Sequence, residues 1–326
     1  MKAEQSFPKP FIIVSECLGF AAVRFNGQQL NDHFLQTLAP YAELRPICPE
    51  VEIGLGVPRM PIRLVDINGE DHLVQTSNEN FDVTDKMIDF SKKFLSSQEK
   101  VHGFVLKSAS PSCGTSNVKV YHQGNKPSVE RKTRGLFAAK VKEKYPDLVV
   151  EDEGRLKNFK IREHFLTAVF TLARWDLVKA SGKMKELVAF HSNMKYLLMA
   201  YNQTRMRAMG KIVANHDKLT LENVFSAYEI ELRETLAHLP KKSNFINSLM
   251  HMAGYFSKTN SAAQKIFFSE MMEMYRDGRI PLSSLILLIK SWAIRDEEQY
   301  ILNQTILSPF PSALLELSDS GRVIEL

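Results

Sequence analysis

A length of 326 residues allows two domains, each with a sizeable core, and a content of 44% hydrophobic and 24% charged residues is ordinary for a soluble protein. We expect no signal peptide, because Glu4, Pro8 and Pro10 precede an apolar run that Ser15 and Glu16 interrupt. The most apolar late stretch, residues 282–289, is too short to cross a bilayer. We therefore expect a cytoplasmic protein with reduced thiols and no membrane association.

The net charge of +5 is unevenly distributed along the chain. Residues 155–218 contain thirteen Lys and Arg against four Asp and Glu, a local charge of +9, so the remainder carries −4. Such a concentration of positive charge is typical of proteins that bind a polyanion, although a solvated basic face on a helical domain has the same composition. The charge pattern alone leaves both interpretations open.

The first part of the chain alternates strand and helix patterns. A buried strand is predicted over residues 11–14, and a helix capped by Asn31 follows it. The later patterns predict a strand ending at Cys48, a hairpin over 65–76, a helix over 82–98, strands over 103–106 and 118–122, a helix opening near Thr133 and an edge strand over 148–150. This order predicts a Rossmann-like α/β domain with a parallel sheet, residues 1–155, which ends in the acidic turn at 151–154.

After residue 156 the apolar residues recur at helical spacing and no strand pattern is present, so residues 156–326 are predicted to form an all-α domain. In the helix that opens at Met184, several polar residues recur at helical spacing and would line one stripe if the helix continues. This stripe could face RNA phosphates and bases, with a tyrosine available to stack, or it could be a solvated helix face. Its candidate RNA contacts are His191, Lys195, Tyr201 and Arg205.

The three cysteines share one sequence context. Cys17, Cys48 and Cys113 each follow an apolar, strand-like run and come just before Gly or Pro. Because ligands of open α/β sheets bind beyond the carboxyl ends of the strands, these thiols could converge on a metal site. The alternative is that each cysteine is a small buried hydrophobe. An odd number disfavours a disulfide framework, and no CxxC pair supports a zinc ribbon.

Three cysteines suit an iron–sulfur cluster in which one iron lacks a protein thiolate, because a cubane normally takes four such ligands. An iron left open in this way can act as a Lewis acid on a substrate atom. Arg24 follows the first cysteine, and Arg59 and Arg63 lie in a Gly- and Pro-rich stretch predicted to be a loop near Cys48. These arginines could clamp a phosphate or carboxylate, or they could be structural loop residues.

Three separated blocks, within about residues 9–155, resemble the thiouracil desulfidase family. The blocks are Cys17-Leu-Gly with Val23-Arg-Phe-Asn-Gly, Cys48-Pro-Glu-Val with Gly54-Leu and Pro58-Arg, and Phe104-Val-Leu-Lys with Ser110-Pro-Ser-Cys-Gly. The second half resembles the helical domain often fused to this family, through Leu187-Val-Ala-Phe-His-Ser and Lys195-Tyr-Leu-Leu-Met-Ala-Tyr. The two-domain arrangement is similar to bacterial desulfidases that convert 4-thiouridine in transfer RNA to uridine.

The resemblance implies a [4Fe-4S] cluster held by Cys17, Cys48 and Cys113, with the fourth iron free to take the substrate sulfur. Replacement of sulfur by oxygen from water needs proton transfer, for which Glu50 is the candidate, unless it only pairs with a loop arginine. Ser110 could hydrogen-bond the pyrimidine or relay a proton. Further substrate contacts are expected from Arg24, Arg59, Arg63, Lys107 and Ser112.

The family pattern commonly has Tyr-Asp-Gly where this chain has Phe25-Asn26-Gly27. This difference concerns the contacts with the substrate and does not concern cluster binding. The expected partner is a tRNA that contains 4-thiouridine, and the expected state is a monomer with no protein partner. Two alternatives remain: an enzyme that salvages thiouracil or 4-thio-UMP, and a non-catalytic iron–sulfur regulator that binds RNA.

Overall fold

The computed structural model describes residues 7–124 and 128–315, so the outer limits of the two predicted domains lie outside the described residues. The chain divides into two compact units. Residues 8–165 form the first, here called the sheet unit, and residues 166–315 together with Phe7 form the second, the helical unit. The division follows Phe165 and therefore falls later than the acidic turn at 151–154.

The strands of the sheet unit are β1 (Phe11–Ser15), β2 (Glu43–Ile47), β3 (Ile62–Ile67), β4 (Glu70–Gln75), β5 (Asn78–Asp82), β6 (Gly103–Leu106), β7 (Val118–His122), β8 (Val129–Thr133) and β9 (Val149–Asp152). Its helices are α1 (His33–Leu38), α2 (Pro49–Glu52), α3 (Thr84–Ser96) and α4 (Leu136–Lys144). Helix α5 (Phe159–Ser181) crosses the division, and the helical unit continues with α6 (Met184–Ala214), α7 (Leu221–Leu236), α8 (Lys242–Ala253), α9 (Ala262–Arg276), α10 (Leu282–Arg295) and α11 (Gln299–Leu302).

A four-stranded parallel sheet with the order β2-β1-β6-β9 forms the centre of the sheet unit. The inner strands β1 and β6 are buried along almost their whole length, which explains their continuous apolar sequences. Pro46 lies in β2, where an edge position tolerates a residue without a backbone N–H. The parallel α/β region predicted from the sequence is confirmed, including the edge position of β9.

The sheet unit also contains a second, five-stranded sheet with the order β5-β4-β3-β7-β8. The β3–β4 hairpin and strand β7 were predicted from the sequence, whereas β5, β8 and the pairing that joins them were not. Strand β3 runs parallel to β7, with Leu64 opposite Val120, and the other pairs are antiparallel. Strands β5 and β8 are the two edges, and their polar, exposed sequences lack the apolar alternation that reveals a half-buried strand.

The helical unit has an aromatic centre in which Trp175 is fully buried. Its indole stacks on Tyr228 with 5.1 Å between ring centroids and also contacts Phe190 and Phe225. Residues 166–315 contain no strand, which confirms the predicted all-helical second part. None of the helices within the described ranges combines the length and hydropathy that a bilayer crossing requires.

Helix α6 is broken at Asn202, whose φ of −158° and ψ of 106° are extended values. The Asn202 side chain accepts a hydrogen bond from the backbone N–H of Arg205 at 3.1 Å and so caps the second segment. Asn244 donates to the Tyr201 carbonyl at 3.1 Å, so a neighbouring helix satisfies a group that the break exposes. The continuous polar stripe predicted along this helix is therefore wrong beyond Asn202.

We expect the substitution Asn202→Ala to lower the free energy of unfolding by about 1 kcal/mol, because the second segment of α6 loses its cap. Urea denaturation followed by circular dichroism measures the change. The matched control is Asn193→Ala, an exposed position in the first segment of the same helix. Equal effects of the two substitutions would show that the cap contributes nothing.

Candidate active site

The three cysteines follow three adjacent strands of the parallel sheet. Cys48 comes directly after β2, Cys17 lies two residues beyond β1, and Cys113 lies in the loop that follows β6. The carboxyl ends of parallel strands meet at one edge, and all three cysteines line a single cavity of about 310 Å³ there. The structure thus brings together thiols that are 31 and 65 positions apart in the sequence.

The loop that carries Cys113 is held by the hydroxyl of Ser110, which accepts hydrogen bonds from the backbone N–H groups of Ser112 (3.2 Å) and Cys113 (3.0 Å). Ser15 at the end of β1 accepts from the Lys107 backbone at 2.9 Å and also hydrogen-bonds the Cys113 thiol. The role of Ser15 was not predicted from the sequence. Its position at the end of a buried strand, two residues before a cysteine, was the available signal.

Burial raises the pKa of each of the three thiols. The pKa of Cys17 rises to about 11, first through burial and then through the nearby Cys48. Burial also raises the pKa of Cys48, and it raises that of Cys113 well above the usual range, where Glu50 and the other two thiols add to the effect. The thiols are therefore protonated at neutral pH in the protein alone, and a bound cationic group would displace their protons.

The three thiols that line the cavity are a donor set that fits an iron–sulfur cluster, because such clusters are held by cysteine thiolates. A cubane binds each cysteine through a different iron. In the described part of the chain, no group of three His, Cys, Asp or Glu side chains is close enough to hold one metal ion.

Glu50 lies in the first turn of α2 and lines the cavity. Arg59 donates two hydrogen bonds to its Oε2, from Nε at 2.9 Å and Nη2 at 2.7 Å. The hydroxyl of the buried Ser112 donates to Oε1 at 2.9 Å. The side chains of Arg59 and Glu50 are only 6% and 13% exposed, so this is a largely buried ion pair that fixes the carboxylate at the cavity wall.

Lys107 lines another part of the cavity wall and pairs with Glu153, which follows β9. The ammonium also donates to the Ser108 hydroxyl at 2.9 Å, and the Ser108 backbone N–H donates to Glu153 at 2.7 Å. Burial alone would raise the pKa of Glu153, but the hydrogen bonds from Lys107 and Ser108 outweigh it and hold the pKa below its usual value. The charge of Lys107 is therefore neutralised locally.

Arg24 and Glu16 line the cavity beside Cys17, and Glu16 was not singled out by sequence analysis. The guanidinium of Arg24 lies 5.8 Å from the centroid of the Phe25 ring. Arg63 was expected in the same loop as Arg59, and this expectation is wrong. It lies within β3 of the second sheet, pairs with Glu79 at 2.6 Å, and does not belong to the described lining of the cavity.

The residues of the helical unit that were predicted to contact RNA are buried or contact other side chains of the protein. Burial and the nearby Lys195 lower the pKa of His191, which is therefore neutral at pH 7 and lies 3.2 Å from the Tyr228 hydroxyl. Tyr201 is buried, so its ring is not available for stacking on a base. Arg205 pairs with Glu231 at 2.8 Å and with Glu234, whereas Lys195 lies over the Tyr196 ring at 5.5 Å.

Comparison with known proteins divides the chain in the same two parts. Residues 12–153 match the family model described as 2-thiouracil desulfurase, and residues 195–311 match the model of a protein family of unknown function, DUF1722. The uncharacterized protein YbbK of Bacillus subtilis is 31% identical over 110 residues, which cover 32% of this chain and 73% of YbbK. The uncharacterized protein YbgA of Escherichia coli is 25% identical over 158 residues, which cover 48% of this chain and 93% of YbgA.

Among solved structures, the [4Fe-4S]-dependent thiouracil desulfidase TudS is 31% identical, with a TM-score of 0.36. The match covers 45% of this chain and 93% of that protein.

Gly135 packs so closely against the Cys113 loop that a methyl group would not fit. A Cβ atom there would lie 2.5 Å from the backbone carbon and oxygen of Ser112. We expect Gly135→Ala to displace this loop, to destabilise the protein by about 1–3 kcal/mol, and to speed alkylation of the Cys113 thiol in metal-free protein. Urea denaturation and mass spectrometry measure the two effects.

The control for this substitution is Gly254→Ala, because a Cβ atom at Gly254 meets nothing within 4 Å. Its effect on stability should stay within about 0.5 kcal/mol. A wild-type alkylation rate in Gly135→Ala would contradict the close packing described here.

Proposed function

Because the chain belongs to the 2-thiouracil desulfurase family through residues 12–153, we propose that it removes sulfur from 4-thiouridine in transfer RNA and leaves uridine. The observation that carries this proposal is the cavity in which three buried thiols meet the Glu50–Arg59 ion pair. The thiols are the only cysteines of the chain, so a ligand set for a thiophilic metal group is concentrated in one place.

Cys17, Cys48 and Cys113 are the residues that would hold a [4Fe-4S] cluster, each through one thiolate. When bound by three cysteines, such a cluster supplies one iron without a protein thiolate, a Lewis acid that polarises the thiocarbonyl of the substrate. The Ser110 hydroxyl supports this role indirectly, because it holds the backbone of Cys113 in its turn. We therefore assign Ser110 to positioning of the third ligand.

Glu50 is the residue that moves the proton in this proposal. Hydrolysis joins the oxygen of water to C4 of the pyrimidine, breaks the bond between C4 and sulfur, and releases hydrogen sulfide. Oε2 of Glu50 already accepts two hydrogen bonds from Arg59, whereas Oε1 accepts one from Ser112 and keeps a lone pair for the attacking water. Arg59 and Ser112 then act by holding the carboxylate in place, and Lys107 contributes a second fixed polar group to the wall.

The RNA part of the proposal is supported by exposed cations near the two ends of α6. In the described part of the chain, Lys183, Lys185, Arg207 and Lys211 are exposed and make no ion pair, unlike Arg205 and Lys179. Exposed cations of this kind attract the phosphate backbone of RNA at long range. They replace His191 and Tyr201 as the candidate contacts of the helical unit.

A cavity of about 310 Å³ also favours a second candidate function, the desulfurization of free 4-thio-UMP or thiouracil. Anaerobic incubation of cluster-reconstituted protein with tRNA that contains 4-thiouridine separates the two. We expect the absorbance band of the thiouridine to disappear as one sulfide is released per thiouridine. Loss of sulfur from 4-thio-UMP but not from tRNA would favour the second function, and RNA binding without any sulfide release would indicate a regulator.

We expect Glu50→Gln to lower the rate of sulfide release by about 10²- to 10⁴-fold while the iron content and brown colour persist, because proton transfer is lost but the thiolates remain. The matched control is Glu52→Gln, an exposed carboxylate in the same short helix. If Glu50 only partners Arg59, the substitution lowers the stability of the protein but leaves the rate per bound cluster unchanged.

A further inference from the structure

Three exposed apolar side chains, here called the apolar rim, lie on the two loops beside the cavity: Phe25, Val57 and Met60. Their exposed fractions are 39%, 41% and 51%. Phe25 lines the cavity, and Met60 stands between the lining residues Arg59 and Pro61. Exposed apolar side chains grouped around a site commonly mark a binding surface, whereas isolated ones carry no such meaning.

The two loops of the apolar rim are fastened to each other. The Arg59 backbone N–H donates to the Phe25 carbonyl at 2.8 Å. The Arg59 guanidinium donates to the carbonyls of Val23 (3.0 Å) and Gly56 (2.9 Å) while it pairs with Glu50. One buried arginine therefore fixes both the rim and the carboxylate, so the rim is a prepared surface continuous with the site.

The charges that line the cavity beside the apolar rim suit the binding of a phosphate. Three cations line the cavity, and two of them, Arg59 and Lys107, are neutralised by Glu50 and Glu153. Arg24 makes no ion pair with any residue that the structure describes, and it lies against the Phe25 ring. An arginine beside an exposed aromatic ring offers a phosphate contact and a stacking face together.

We propose that the apolar rim and Arg24 bind the nucleotide next to the reacting base, so that the site takes its substrate as a base extruded from an RNA strand. The proposal rests on the proposed function. A base inside folded RNA must leave its stack to reach a cavity lined by buried thiols, and the neighbouring base then loses a stacking partner. Phe25 replaces that partner, Val57 and Met60 cover the edge of the base, and Arg24 contacts the intervening phosphate.

The experiment compares wild-type holoenzyme with Phe25→Ala, Met60→Ala and Phe81→Ala. Phe81 is the matched control, because it is 42% exposed in the same unit but lies on the edge strand β5. Each protein is assayed with an RNA oligonucleotide that contains one 4-thiouridine and with 4-thio-UMP, and the ratio of the two kcat/KM values is determined. Fluorescence anisotropy gives the Kd for the same oligonucleotide with ordinary uridine, which requires no reaction.

We expect both rim substitutions to lower the RNA-to-mononucleotide ratio about tenfold and to weaken RNA binding by a similar factor, and Phe81→Ala to change neither. If wild-type protein acts on the RNA but the rim variants keep both the ratio and the Kd, the rim proposal is overturned and a protein becomes the candidate occupant. If wild-type protein acts on 4-thio-UMP but not on the RNA, the proposed function itself fails and the rim proposal fails with it.

Discussion

The pairing of β2, β1 and β6 is the constraint on which the site depends. Ser15 at the end of β1 lies opposite Ile47 of β2, and Val14 lies opposite Val105 of β6, so the three strands end side by side. Because successive side chains point to opposite faces of a strand, a slip of one residue would turn the flanking groups away from one another. Bringing three thiols together at this edge also buries them. Burial raises the pKa of each thiol, so all three are protonated when no metal is bound.

The sequence was sufficient to predict the elements that bury apolar surface. Strands β1 and β6 are continuous apolar runs, and helices such as α3 and α9 carry apolar residues at helical spacing, so their patterns are strong. The edge strands β5 and β8 bury little, and nothing in their polar sequences distinguishes them from loops. The second sheet was therefore missed, although its central hairpin, which turns at Asn68-Gly69, was predicted.

The positions of charged residues were easier to predict than their partners. Glu50 was identified because it follows Cys48 by two residues, Arg59 because its loop leaves from near Cys48, and Lys107 because it lies in a block that resembles the family. Their ion pairs depend on contacts that only the folded chain creates, since Lys107 and Glu153 are 46 positions apart. Arg63 illustrates the opposite error: it is near Arg59 in the sequence, but the entry of the chain into β3 carries it to the second sheet and to Glu79.

The distribution of charge separates two kinds of attraction for the RNA substrate that we propose. Outside residues 155–218 the chain carries −4, so long-range attraction of a polyanion must come from that stretch, where α6 has exposed lysines. Charges buried in the cavity wall must instead be paired, because an uncompensated buried charge would carry a large desolvation cost. Pairing Arg59 and Lys107 with carboxylates meets this need and leaves Arg24 as a short-range contact. The affinity for RNA that comes from the lysines and the selection of a substrate at the cavity can therefore vary independently.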